Sequence, residues 1–138
     1  MQHHTVNILA PAQGLVEFTS QLQQVLSAHP LPEGLMHLYL RHTSASLIIQ
    51  ENADPAVSRD LETYLQRLVP EDDSRYTHTQ EGPDDMPAHI KGALTATSLS
   101  IPVRDGRLAL GTWQGVFLWE HRRRPRERQV LVTLVGGS

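Results

Sequence analysis

The stretch LMHLYLRHT, residues 35–43, decides the fold. Leu35, His37, Tyr39 and Arg41 point one way along an extended chain, and Met36, Leu38, Leu40 and His42 point the other, which is the period of a half-buried strand. His42 thus follows three apolar residues on the core-facing side. SLIIQEN at 46–52 is a second strand candidate, with Thr43, Ser44 and Ser46 forming a hydroxyl-rich turn between the two. If these strands form a hairpin through 43–46, His42 lies near the turn, and Glu51 and Asn52 lie toward the opposite end.

Upstream, HHTVNIL at 3–9 reads as a first strand, and TSQLQQVLSAH at 19–29 as a helix capped by Thr19 or Ser20, with Leu22, Val25 and Leu26 on one face. Downstream, DPAVSRDLETYLQRLVP at 54–70 is a helix. Asp54 caps it, Pro55 sits in its first turn, and Val57, Leu61, Tyr64, Leu65 and Leu68 line one face. MPAHIKGALTATSL at 86–99 reads as another, with Pro87 in its first turn. SIPVRDGRLAL at 100–110 is a hairpin around Asp105-Gly106, a pair suited to a type I′ turn. GVFLWEH at 115–121 and RQVLVTLVG at 128–136 are the last strands. The second is apolar for most of its length, which suits a central strand covered on both faces or one face buried in an oligomer. The pattern is α+β in one domain, 1–138: a largely antiparallel, sheet-dominated architecture with two to three packed helices. Regular strand–helix alternation and Gly-rich phosphate loops are missing.

Composition narrows the function. The 138 residues suit one domain, and 39% apolar with 5% aromatic residues is lean for a core, which hints at surface buried between subunits. A net charge of −3 favours neither nucleic acid nor an acidic membrane as partner. The local exception, HRRRPRER at 121–128, reads first as a solvated edge or hairpin. With no cysteine, a metal site here must use His, Asp or Glu. No apolar run reaches the ~18 residues of a membrane span, and MQHHTVNILAP lacks the pattern of a secretory signal, so a cytoplasmic protein is expected.

Three segments carry chemistry. HTQEGPDDMPAH at 78–89 gathers His78, Glu81, Asp84, Asp85 and His89, all able to bind a divalent ion: imidazole suits zinc and other transition metals, and carboxylates add magnesium and manganese. With Asp85 as helix cap, His89 falls in the first turn, where it can accept a proton or bind a metal, and where an anion is also favoured. The competing reading is an acidic helix start with two surface histidines. RHTSASLIIQEN at 41–52 offers His42, Glu51 and Asn52; a structural turn is the better reading of Ser44 and Ser46, and for His42 a satisfied buried histidine competes evenly with a functional one. LGTWQGVFLWEH at 110–121 brackets Thr112, Trp113 and Gln114 between Gly111 and Gly115, where backbone N–H groups can hold phosphate oxygens, or where a β-bulge makes a tight connection. One or two arginines of the 122–128 run can complete an anion site.

Taken together, LMHLYLRHTSASL at 35–47, ENADP at 51–55, EGPDDMPAHIK at 81–91, IPVRDGRLALGTWQGVFLWEHR at 101–122 and VLVTLVG at 130–136 strongly resemble the YjbQ-like family, described as secondary thiamine-phosphate synthases. The resemblance covers roughly residues 15 to 137. It implies a compact α+β domain with a β-sandwich-like sheet core, a homotrimer, and an activity joining an aminopyrimidine methyl pyrophosphate to a thiazole phosphate with release of pyrophosphate. By motif match it places His42, Glu51, Asn52, Glu81, Asp85, His89, Thr112, Trp113, Gln114 and Glu120 at the family's polar positions, with His78 just before EG. Pro83 departs from the pattern and stiffens the loop without removing a ligand. The expected roles follow. His42, His89, Glu51, Asn52 and Glu120 are catalytic. Gly111, Thr112, Trp113 and Gln114, with Arg126 and Arg128, hold phosphate. His78, Glu81, Asp85 and His89 bind a divalent metal, magnesium or a transition metal such as zinc. The alternatives are a metal-dependent hydrolase and a trimeric non-catalytic anion-binding protein.

Overall fold

The computed structural model describes residues 1–136, so the last two residues of the 1–138 domain lie outside the described residues. In chain order the elements are β1 (Gln2–Ala10), β2 (Gly14–Glu17), α1 (Thr19–Ala28), β3 (Glu33–Leu40), β4 (Ala45–Glu51), α2 (Pro55–Leu68), α3 (Asp85–Leu94), β5 (Ser98–Arg104), β6 (Arg107–Leu108), β7 (Gln114–Glu120) and β8 (Arg126–Val135). They form two antiparallel sheets, a five-stranded one in the order β1-β8-β3-β5-β6 and a three-stranded one in the order β2-β7-β4.

The alternation read in residues 35–43 is realised: Met36, Leu38 and Leu40 are buried in the main core. They meet Val130, Val132 and Leu134 of β8, Val116 and Leu118 of β7, Ala45 and Leu47 of β4, and Phe18, Leu22 and Leu26 at and along α1. The small sheet has a second apolar face. Trp119, Ile48 and Leu15 pack there against Leu61, Leu65 and Val69 of the α2 region and Ile90 of α3. The molecule is therefore three layers: large sheet, small sheet, and the α2–α3 pair. β7 runs through the middle layer, and every one of its residues after Gln114 is buried.

Several expectations are corrected. β3 and β4 do not form a hairpin; they belong to different sheets, and residues 41–44 carry the chain from one layer to the next. Within one chain β8 is not covered on both faces: it alternates buried Val130, Val132 and Leu134 with less buried neighbours, and the strand covered on both faces is β7. The helix expected over 86–99 ends at Leu94, because the β-branched and small residues that follow join the sheets through the Leu47–Ala96 bridge and the Ser98–Tyr39 pairing. Asp84 is its N-cap residue, without a side-chain cap bond, and Asp85 is its first helical residue, so His89 lies in the second turn. α1 is capped by neither Thr19 nor Ser20: Phe18 holds the N-cap position, while the Thr19 hydroxyl donates to Glu17 Oε2 (2.8 Å) and accepts from Val116 N–H (2.8 Å). On α2, Tyr64 and Leu68 are exposed rather than buried with Leu65. The short strand β2 is absent from the sequence reading. Asp54 does cap α2, accepting from Ala56 N–H at 2.9 Å. The Asp105-Gly106 turn has both residues at positive φ, as a type I′ turn demands.

Candidate metal centre

The start of α3 meets the loop before it and the end of β7. Asp85 is almost fully buried. Its Oδ1 accepts from Arg122 Nη1 at 2.6 Å. Its Oδ2 lies 2.7 Å from His78 Nε2 and 3.1 Å from His89 Nε2, and Glu81 Oε2 lies 3.4 Å from His78 Nε2. One ligand atom from each of His78, Glu81, Asp85 and His89 falls within 4.8 Å of the others, so these four could hold a metal ion.

Orientation favours that use. His89 Nδ1 lies 3.0 Å from the Thr43 carbonyl, which can only accept, so Nδ1 carries the proton. A neutral His89 then turns the Nε2 lone pair toward a carboxylate oxygen. Lone pair facing lone pair is repulsive unless a proton or cation lies between them. The ring-to-carbonyl contact is also the usual outer support of a metal-bound histidine. Two imidazole nitrogens and two carboxylates suit a transition ion, and on one that takes five or six ligands they leave positions for water or substrate.

Arg122 holds the carboxylates in place. Nε donates to Asp84 Oδ2 at 3.0 Å, Nη2 to the Glu81 carbonyl at 2.8 Å, and Arg123 N–H to Asp84 Oδ2 at 2.9 Å. Burial would raise both aspartates, but at Asp84 the hydrogen bonds from Arg123 N–H and Arg122 outweigh it, and at Asp85 the hydrogen bonds with His78 and Glu81 and then the Arg122 charge do, so both stay below the usual carboxylate range. Arg122 N–H is itself received by Glu120 Oε2 at 3.0 Å.

The structure places the other candidates in four groups. His42 lines a cavity of about 310 Å³ together with His89, Thr43, Ala45, Gly92, Ala93 and Thr97. Its Nε2 accepts from Gln129 N–H at 2.8 Å, and burial, then the Arg128 charge, lowers its pKa. Glu120 and Arg128 are paired with each other inside the sandwich: Arg128 Nε donates to Glu120 Oε1 at 2.7 Å, and Nη2 donates to Ser44 Oγ at 2.9 Å. Arg126 stands with Arg122, Arg123 and Arg124 on a cavity of about 670 Å³ that shares Glu81 with the metal cluster. Glu51, Asn52 and the 111–114 loop lie elsewhere. Gln114 is in register with Glu51, and Glu120 with Ala45, so six strand steps of ~3.4 Å, roughly 20 Å, separate this group from Glu120. There Glu51 Oε2 accepts from Asp54 N–H (2.9 Å), Asn52 Nδ2 donates to Glu17 Oε2 (2.9 Å), and Gln114 Oε1 accepts from Gly111 N–H (2.7 Å), leaving Trp113 exposed.

Sequence reasoning assigned no role to Lys91 or His121, both fully buried. Lys91 follows Ala88 by three positions on the inner face of α3, where an apolar residue is expected, and that misfit was the available signal.

The fold is an antiparallel sandwich backed by helices, and this chain carries a His and carboxylate cluster at a helix start. The chain belongs to the family described as UPF0047 protein YjbQ-like, whose model matches residues 4–137. Among its relatives, UPF0047 protein sll1880 of Synechocystis is 54% identical over 98% of this chain and 92% of that protein. UPF0047 protein YjbQ of Salmonella typhimurium is 46% identical over 96% of each. The crystal structure of a conserved hypothetical protein from Thermus thermophilus superposes with a TM-score of 0.86 at 38% identity, covering 96% of this chain and 99% of that one.

Proposed function

We propose that this chain is a metal-dependent enzyme acting on a small phosphorylated substrate, and that its reaction is the joining of an aminopyrimidine methyl pyrophosphate to a thiazole phosphate. The observation that carries the proposal is the adjacency of two features: a four-ligand cluster at His78, Glu81, Asp85 and His89, and an arginine-lined cavity that shares Glu81. In such a reaction the C–O bond to pyrophosphate breaks with both electrons leaving on oxygen. The thiazole nitrogen donates its lone pair to the methylene carbon to form the new C–N bond. A divalent ion held by the four ligands would supply charge neutralisation for the departing group. Arg124 and Arg126 would hold phosphate oxygens, Arg122 keeps Asp84 and Asp85 ionised and oriented, and His42 and His89 flank the 310 Å³ cavity where an apolar ring can sit.

A metal-dependent hydrolase is the second reading. It is favoured by the exposure of Glu81, 64% at its side chain, which leaves one side of the cluster open to water. We further propose a cytoplasmic homotrimer without nucleic-acid or membrane partners. No helix among the described residues is long and apolar enough to cross a membrane.

The test is product analysis by mass spectrometry, with both thiamine precursors and Mg²⁺ or Zn²⁺, for wild type and His89→Ala side by side. Thiamine phosphate from wild type alone, at ~1 s⁻¹ or faster, establishes the reading. Equal traces from both proteins refute it and turn the search to hydrolysis of phosphate esters.

A further inference from the structure

Lys91 and His121 belong to a closed ring of hydrogen bonds. Gln13 Nε2 donates to the His121 backbone carbonyl (2.9 Å), Gln66 Nε2 donates to Gln13 Oε1 (2.9 Å), and Lys91 Nζ donates to Gln66 Oε1 (2.9 Å). The Thr95 hydroxyl donates to the Lys91 carbonyl (2.7 Å), the Ser46 hydroxyl to Thr95 Oγ1, and His121 Nε2–H to Ser46 Oγ (2.8 Å). The ring leaves His121 by its backbone and returns to its own imidazole. On the way it ties together the β1–β2 loop, α2, α3, β4 and the end of β7.

Every direction in the ring is set. Both Gln66 amide protons are used, one by Gln13 and one by Glu62 Oε1 (2.8 Å), so its oxygen must face Lys91. Thr95 spends its proton on a carbonyl, so Ser46 must donate to it and must accept from His121.

Such a device is expensive. A buried ammonium costs stability, and a well-packed apolar side chain of similar length is often neutral or better. Lys91 therefore needs a reason other than stability, and its place supplies one. It follows His89 by two residues on α3, and the ring's other anchor, His121, directly precedes the Arg122 that grips Asp84 and Asp85. The ring thus sets the spacing between the helix bearing two ligands and the guanidinium that aims one of them.

We infer that Lys91 is a positioning residue for the metal centre, acting through this ring without touching any ligand, an inference that rests on the metal-dependent reading above. Groups beyond the ligands typically change metal affinity by about 10- to 100-fold.

The test uses Co²⁺ as probe with the full chain, comparing wild type, Lys91→Met and Gln13→Met. Affinity is read by chelator competition, the visible Co²⁺ bands report ligand geometry, and thermal unfolding of the metal-free proteins reports stability. Gln13 lies on the far side of the ring and contacts neither α3 nor Arg122 in any hydrogen bond above. The expected result is a loss of affinity of about five-fold or more in both variants, with altered Co²⁺ bands, while metal-free Lys91→Met melts no lower than wild type. A smaller loss in either variant, or unchanged bands, overturns the inference even if stability falls. If Lys91→Met gives no folded protein, Gln13→Met decides alone by the same threshold. Wild type that takes up no Co²⁺ overturns the metal reading itself and this inference with it. Wild type that binds beside unchanged variants overturns the inference alone.

Discussion

Acidification should destabilise this protein through one buried imidazole. His121 is fully buried, its Nδ1 has no hydrogen-bond partner among the described residues, and burial, then the nearby Lys91 and Arg128 charges, lower its pKa from 6.5 to about 3. The unfolded chain takes up the proton near pH 6.5 and the native state does not, so stability is fully present above that value. It falls as pH drops from about 6.5 toward 3, by up to ~1.4 kcal/mol per pH unit. At pH 5 the loss is about 2 kcal/mol. Unfolding entropies of ~2.1 cal/mol/K per residue, over a chain of this length, convert that to a fall in Tm of roughly 7 °C. His121→Gln removes the titration and keeps an amide donor for Ser46. Differential scanning calorimetry of both proteins between pH 7.5 and 5, at one protein concentration, should show wild type losing about 7 °C more than the variant. Parallel losses in the two proteins would refute the reasoning.

Three further outcomes are expected. Zn²⁺ should bind with one ion per chain and raise Tm, and His89→Ala, which removes one of the four proposed ligands, should weaken it by at least about 100-fold in a dye-competition titration; equal affinity would remove His89 from the site. Glu120→Ala strands the buried Arg128 guanidinium and should cost about 3–5 kcal/mol in urea unfolding, whereas the double change Glu120→Met with Arg128→Leu should cost markedly less; a single-variant loss under about 1 kcal/mol would contradict the burial described. Gly34→Ala drives a methyl group into the Val135 backbone carbonyl, which cannot rotate away, and should destabilise by about 2 kcal/mol or more; a neutral variant would mean that β3 and β8 can separate there.

Much of the fold was written in local pattern. Alternation in residues 35–40, Asp54 ahead of Pro55, and Asp105 before Gly106 each specify a strand, a helix start and a turn by contacts close along the chain. Layer assignment was not local. Residues 35–51 suit a hairpin, and only the pairing of β3 with β8 and of β4 with β7 sends the two strands to different sheets. The same holds at the site. His78, Glu81, Asp85 and His89 could be grouped by sequence because one loop and one helix start carry them all. Arg122 joins them from 37 positions away along the chain, and the separation of Glu51, Asn52 and the 111–114 loop from Glu120 depends on strand register. Lys91 and His121 stayed hidden because burial of a polar residue is fixed by tertiary packing, which periodicity reports only as a misfit.

The crossing between the sheets has a consequence for engineering. Three successive residues there are held by two elements: His42 Nε2 by Gln129 of β8, the Thr43 carbonyl by His89 of α3, and the Ser44 carbonyl and hydroxyl by Arg128, again of β8. Adding or deleting one residue between Leu40 and Ala45 would dislocate all four bonds together and leave His89 free to spin. The Asp105-Gly106 tip is tied back as well, since Gly106 N–H donates to the Pro32 carbonyl at 3.0 Å and Asp105 N–H to Glu33 Oε1 at 3.1 Å. Chain length between the two sheets therefore has to be conserved in any graft of this site onto another scaffold.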